Sequence, residues 1–264
     1  MPITIRKLHI FTALPLLLAA MSVETRAEDL KVLSAGAMRA ALQELAPRFE
    51  AKSGHKVAIE YATAAGVEQK VAGDPEIEVA ILTKPRIDKL VGQAKVIGGT
   101  ITPLARAPLG LAVKKGAPKP DISSVDAVKK VLLGAKSVAY ADPASGATTG
   151  IFLAQAFEKL GIAGELKPKL HPVAAAAAQG SPRVGEIVAK GEAEIGLQPV
   201  SELMEVEGVD VVGPLPAELQ SPDLIYVAGT PQFTEHPIAA KALIDFLAGP
   251  DAKAVYKAKG LQPQ

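Results

Sequence analysis

The 264-residue chain has no cysteine and no tryptophan, and only 4% of its residues are aromatic. The missing cysteine excludes disulfides, thiolate metal sites, cysteine nucleophiles and lipid attachment through sulfur. So few aromatics give no stacking platform for bases or sugars. An excess of one charge is absent too: 29 Lys+Arg against 28 Asp+Glu leave a formal charge of +1. Nucleic-acid binding needs clustered Lys and Arg, so no nucleic-acid partner is expected. The 23 glycines and 21 prolines are scattered rather than periodic, and 48% of residues are hydrophobic against 22% charged. Collagen-like, low-complexity and disordered classes are thereby excluded. What remains is a globular chain long enough for one large domain or two of roughly 100–130 residues.

The first 27 residues read as an export signal. Arg6 and Lys7 precede a short apolar run, Leu8 to Ala20, interrupted by Pro15, and Thr25-Arg26-Ala27 supplies a small-x-Ala exit. The run is too brief for a span of about 20 residues. Cleavage after Ala27 removes three basic residues and one acidic one and turns the net charge from +1 to −1. A soluble, cysteine-free exported chain fits a bacterial periplasm, where disulfides are optional.

The remainder alternates strand and helix. Leu30 to Leu33 reads as a buried strand. Met38, Ala41, Leu42, Leu45 and Phe49 then share one helical face, with a kink expected at Pro47 and a stop at Gly54. Strand patterns at 56–61 and 79–82 alternate with helices at 63–72 and 84–93. A second series begins near Leu109: a capping box at Ser123-Ser124-Val125-Asp126, strands at 137–140, near Leu170 and Ile195, and at 209–212, and a helix at 183–190. A strand at 224–227, a helix around Leu243 and a last helix from Pro250 to Gly260 complete the chain. Repeated βα units predict an α/β layered fold with mainly parallel sheets.

Motifs for chemistry are sparse. His55, His171 and His236 stand alone without metal-ligand spacing, and Gly-x-Ser-x-Gly, Ser-x-x-Lys, Gly-x-Gly-x-x-Gly and the P-loop are all missing. No metal site, cofactor or catalytic residue is expected. What recurs is a junction of small and polar residues between a strand and a helix: Ser34-Ala35-Gly36-Ala37, Thr63-Ala64-Ala65-Gly66, Asp142 to Gly150, and Gln179-Gly180-Ser181-Pro182-Arg183. Each presents unpaired backbone N–H groups and the positive end of a helix at the carboxyl edge of a sheet. Alone, any of them is an ordinary N-cap. Four together, two in each half, predict a shared anion site.

With Leu33 to Met38, the Phe49 to Val57 run, Ala141 to Ala147, Gly191 to Gly196 and the Ala248 to Pro263 end, the chain resembles the periplasmic substrate-binding proteins of ABC importers, type II fold, in the molybdate-binding-protein-like group. That resemblance implies two lobes, 28–108 plus 213–264 and 109–212, joined by two crossover strands, with a small anionic ligand between them. It also implies a monomer that delivers the ligand to an inner-membrane ABC permease and performs no chemistry. The site would be built from Ser34, Ala35, Gly36, Ala37, Thr63, Ala64, Ser145, Gly146, Thr148, Thr149, Ser181, Arg183 and Gln198. Against the family pattern, Ala37, Ala64 and Ala65 replace hydroxyls, and Leu197-Gln198-Pro199 stands where a tyrosine is usual. Lost donors weaken a site for a bare oxyanion, and the fork of Arg183 matches a carboxylate. The expectation is therefore a molybdate- or tungstate-like oxyanion, with a small organic carboxylate next. The enzymatic alternative, a dehydratase or lyase, needs a general base, for which Glu202 and Asp142 are the carboxylates available.

Overall fold

The computed structural model describes residues 27–174 and 183–264. The export signal, except Ala27, and Ser181 lie outside the described residues. In chain order the elements are β1 (Asp29–Ala35), α1 (Arg39–Ser53), β2 (Lys56–Ala62), α2 (Ala64–Gly73), β3 (Val79–Thr83), α3 (Lys84–Gly92), β4 (Thr102–Arg106) and β5 (Leu109–Lys114). There follow α4 (Val125–Gly134), β6 (Val138–Ala141), α5 (Thr148–Lys159), α6 (Ala163–Leu166), β7 (Leu170–Val173), α7 (Val184–Lys190), β8 (Ile195–Pro199) and α8 (Val200–Leu203). The last are β9 (Val209–Pro214), β10 (Ile225–Gly229), α9 (Pro237–Ala248), α10 (Pro250–Ala258) and β11 (Gln262–Pro263).

Two sheets form, ordered β11-β4-β10-β3-β1-β2 and β7-β6-β8-β5-β9. Both are mixed, which corrects the expectation of mainly parallel sheets. β1 is parallel to β2 and β3, and β6 to β7 and β8, whereas β10 runs against β3 and β4, and β5 against β8 and β9. The reason is topological. The chain passes between the sheets at β4–β5 and at β9–β10, and a strand entering from the opposite sheet arrives in the reverse direction. Each sheet carries its own main core, one around Leu33, Leu42, Ile81 and Tyr256, the other around Leu111, Val138, Phe157 and Leu197. Leu215, Leu219 and Leu224, assigned to lobe 1 by the expected boundary at 213, pack in the second core.

The local signals act as their chemistry dictates, with exceptions. Gly54 ends α1 with φ +80°, and Ser124 caps α4 by accepting from the Ala127 N–H at 3.2 Å. Pro47 lies inside an uninterrupted α1, so the expected kink does not end the helix. Leu42, Leu45 and Phe49 are buried on either side of it, and that anchoring outweighs the roughly 3 kcal/mol cost of an interior proline.

Register sets up the site. Ser34 and Ala35 pair with Tyr61 and Ala62, so β1 and β2 end level and the starts of α1 and α2 lie side by side. In the other sheet Ala141 pairs with Val173, and Tyr140 with Leu197, which brings the starts of α5 and α7 and the end of β8 to one edge.

Candidate functional site

The two edges face each other across a cleft of about 790 Å³, its open mouth included. One wall is made by Ala35, Gly36, Ala37, Thr63 and Ala64, the other by Thr148, Thr149, Arg183 and Gln198. The described parts of all four strand-to-helix junctions thus converge on one space. Thr63 caps α2, its Oγ1 accepting from the Gly66 N–H at 3.0 Å. Thr148 Oγ1 is buried without a hydrogen-bond partner among the described residues, which leaves its bonding capacity available at the cleft.

Three expected residues fall outside the wall. Ser34 is buried in the core, its Oγ donating to the Ala35 carbonyl. Ser145 Oγ donates to the Asp142 carbonyl at 2.6 Å, within its own turn. Gly146 has φ +74°, and a Cβ there would lie 2.6 Å from Ala65 Cβ. Its carbonyl accepts from Arg86 Nη2 at 3.2 Å, so it is a contact between the two halves. Asp142 is spent as a cap, accepting from the Ala144 N–H.

Carboxyl groups dominate the chemistry of the far end. The short α8, which periodicity could not reveal, turns Glu202 into the cleft, and Glu205 follows three residues later. Gln198 Nε2 donates to Glu202 Oε2 at 2.5 Å. Burial, then the neighbouring Glu205 charge, pushes the Glu202 carboxyl up to about 7, against the pull of Arg39, Arg183 and the Gln198 hydrogen bond. Burial also raises Glu205, even though Arg183 Nη1 donates to its Oε2 at 2.9 Å. Arg183 is held on its other side by Glu186 Oε1, which accepts from Nε at 2.9 Å. Tyr226, from β10, lies beneath Glu202, and burial leads its hydroxyl well above the ordinary tyrosine range. The halves are tied here by Ser201 Oγ, which donates to the Ala37 carbonyl at 2.9 Å.

Arg39, Glu205 and Tyr226 are the polar cleft residues absent from both the expected site and its enzymatic alternative. A signal existed for Arg39. It opens α1 at the positive end of the helix, an unfavourable place for a cation unless an anion is near.

A family model for bacterial extracellular solute-binding proteins matches residues 30–262; the chain belongs to that family, and its expected kinship with the molybdate-binding-protein-like group holds. The molybdate-binding protein ModA of Azotobacter vinelandii is 27% identical over 249 residues, covering 91% of this chain and 92% of that protein. A solved structure of the Azotobacter vinelandii periplasmic molybdate-binding protein superposes with a TM-score of 0.71 at 22% identity, over 89% of this chain and all of that one. An aconitate isomerase from a Pseudomonas species is 35% identical over 252 residues, 94% of this chain and 91% of that protein. This last relative overturns the expectation that the chain performs no chemistry. The expectation rested on missing motifs, and a single carboxyl made basic by its surroundings leaves no motif.

Proposed function

We propose that the protein is an isomerase acting on an aconitate-like tricarboxylate, built on the solute-binding scaffold, with Glu202 as its acid–base group. The observation that carries this reading is the Glu202 carboxyl, buried at the end of the cleft beside the Gln198 amide and pushed up to about 7. The 35% identical aconitate isomerase supports it.

Aconitate is a propene bearing three carboxylates. Its cis and trans forms interconvert when a proton leaves the methylene carbon and returns to the far carbon of the allyl unit. One C–H bond breaks, its electron pair spreads over the allyl system, the double bond moves by one carbon and a new C–H bond forms, with no net change in composition. Such a step asks for one group that accepts a proton at one carbon and returns it at another. A carboxylate whose pKa lies near neutrality is a stronger base than an ordinary one, and its acid form is still able to donate. The Gln198 amide orients it. The cleft cations, Arg39 and Arg183, and the Thr148 and Thr149 hydroxyls are suited to binding the substrate carboxylates.

The site-residue expectation is revised accordingly: Ala35, Gly36, Ala37, Thr63, Ala64, Thr148, Thr149, Arg183 and Gln198 stay as the binding wall, joined by Arg39, Glu202, Glu205 and Tyr226. The extracellular character of the family and the signal-like residues 1–27 support action outside the cytoplasm. Kinship with ModA supports a second reading, capture of an anion for an ABC permease. The two separated arginines of the cleft suit spaced carboxylates better than one compact oxyanion, so an organic carboxylate is the better cargo in that reading too.

Incubation of the purified protein with cis-aconitate, followed by proton NMR, tests the first reading. Appearance of the trans isomer at a rate proportional to protein supports it; an unchanged spectrum overturns it.

A further inference from the structure

Two arginines enter the cleft, and the fold holds them in different ways. Arg183 is gripped by carboxylates on both sides, Glu186 at Nε and Glu205 at Nη1, each at 2.9 Å. Most of its charge is answered within the protein. Arg39 pairs with no carboxylate among the described residues. Its guanidinium carbon instead lies 4.4 Å from the centre of the Tyr61 ring.

An aromatic face attracts a guanidinium through the ring quadrupole and leaves its N–H donors and net charge unspent. A carboxylate in the same place would hold the arginine equally well but would compete with any anionic guest. Tyr61 reaches this position from β2, whose register with β1 sets it beside Ser34, five residues before Arg39. The Tyr61 hydroxyl is buried without a hydrogen-bond partner among the described residues, so the ring is the engaged part of the side chain. Burial carries that hydroxyl up to about 12, and the ring therefore stays neutral and keeps its attraction at any ordinary pH. Arg39 also opens α1, where the helix field disfavours a cation unless an anion sits nearby. Arg39 thus enters the cleft with no salt-bridge partner among the described residues, its charge acting on Glu202 and Glu205 but bonded to neither, in a place that an incoming anion stabilises.

Resting on the tricarboxylate reading above, we propose that Arg39 anchors a carboxylate of the substrate and that Tyr61 is its positioning residue, the ring holding the guanidinium in the cleft without neutralising it.

The test uses the whole protein and propane-1,2,3-tricarboxylate, the saturated analogue, which has no double bond to shift. Calorimetric Kd for the analogue and steady-state KM and kcat for cis-aconitate are measured for wild type, Tyr61→Phe, Tyr61→Leu and Arg39→Met. Tyr61→Phe keeps the ring and should stay within about twofold of wild type in Kd and KM. Tyr61→Leu and Arg39→Met should raise both by roughly tenfold or more, with kcat changed by less than about threefold, as loss of uniform binding requires. Melting temperatures check that each variant is folded, and Arg39→Met serves if Tyr61→Leu is not. Wild-type affinity in Tyr61→Leu or in Arg39→Met, or a Tyr61→Phe defect as large as that of Tyr61→Leu, overturns the assignment. The analogue separates the two claims. Weakened binding in the variants with no turnover in wild type rejects the isomerase and keeps the anchor; turnover in wild type with unchanged variant affinity does the reverse.

Discussion

Gln198 Nε2 and Glu202 Oε2 lie 2.5 Å apart at the end of the cleft, one on the last turn of a buried strand and the other on a helix of four residues. This pair shows how a chain without a catalytic motif can hold a carboxyl of raised pKa: the strand fixes the amide, the amide holds the carboxyl, and burial makes it more basic.

Glu202 should therefore lower stability as pH rises. Its folded-state pKa of about 7 lies above the ordinary 4.5, so between those values the native state keeps a proton that the unfolded chain has lost. The destabilisation is absent below about pH 4.5, grows through that window and is complete above 7, reaching at most about 3 kcal/mol. Glu202→Gln should then be more stable than wild type at pH 8 and nearly equal at pH 4.5, as read by denaturant unfolding at both pH values. Equal differences at the two pH values contradict this.

Arg183→Ala removes the cation that faces Glu205 and acts on Glu202. Both carboxyls should rise further. The acid limb of kcat/KM should move up by about half a unit or more, and tricarboxylate affinity should fall. A limb that stays in place would separate Arg183 from the carboxyl pair.

Gly146→Ala should strain the contact between the two cleft walls. The residue has φ +74°, and its new Cβ would meet Ala65 Cβ at 2.6 Å from across the cleft. Either the lobes part or the turn moves, and ligand affinity should fall by roughly tenfold with a smaller change in melting temperature. Calorimetry with propane-1,2,3-tricarboxylate reads the effect.

Ligand choice follows from the cleft's mixed charge. On the tricarboxylate reading, the separated cations Arg39 and Arg183 and the threonine hydroxyls suit several spaced carboxylates, which a compact dianion does not offer. Tricarboxylates should bind at least about tenfold tighter than molybdate, tungstate or sulfate in one calorimetric panel, a preference of about 1.4 kcal/mol.

Much of this arrangement was legible in the sequence because backbone requirements write themselves locally. Small and polar residues after β1, β2 and β6 announced helix starts at a sheet edge, and those edges meet. Strand direction was not legible, since β5 and β10 read as strands whichever way a neighbour runs. The proposed acid–base group was only half visible. Glu202 could be named as an available carboxylate, but nothing in Pro199-Val200-Ser201-Glu202-Leu203 tells how far its carboxyl is desolvated or that Glu205, Arg39 and Tyr226 surround it. Those neighbours come from distant segments. Ser34 and Ser145 lie off the cleft wall for a related reason: a hydroxyl beside a junction serves its own turn as readily as a ligand, and here each donates to a nearby backbone carbonyl.

The pH dependence of kcat/KM for cis-aconitate, measured on wild type and Glu202→Gln, tests the central claim most directly. An acid limb of unit slope near pH 7 in wild type, with turnover lowered by roughly a thousandfold in the variant, is the predicted result. Wild-type turnover in Glu202→Gln, or a limb at pH 4–5 where ordinary carboxylates titrate, would contradict it.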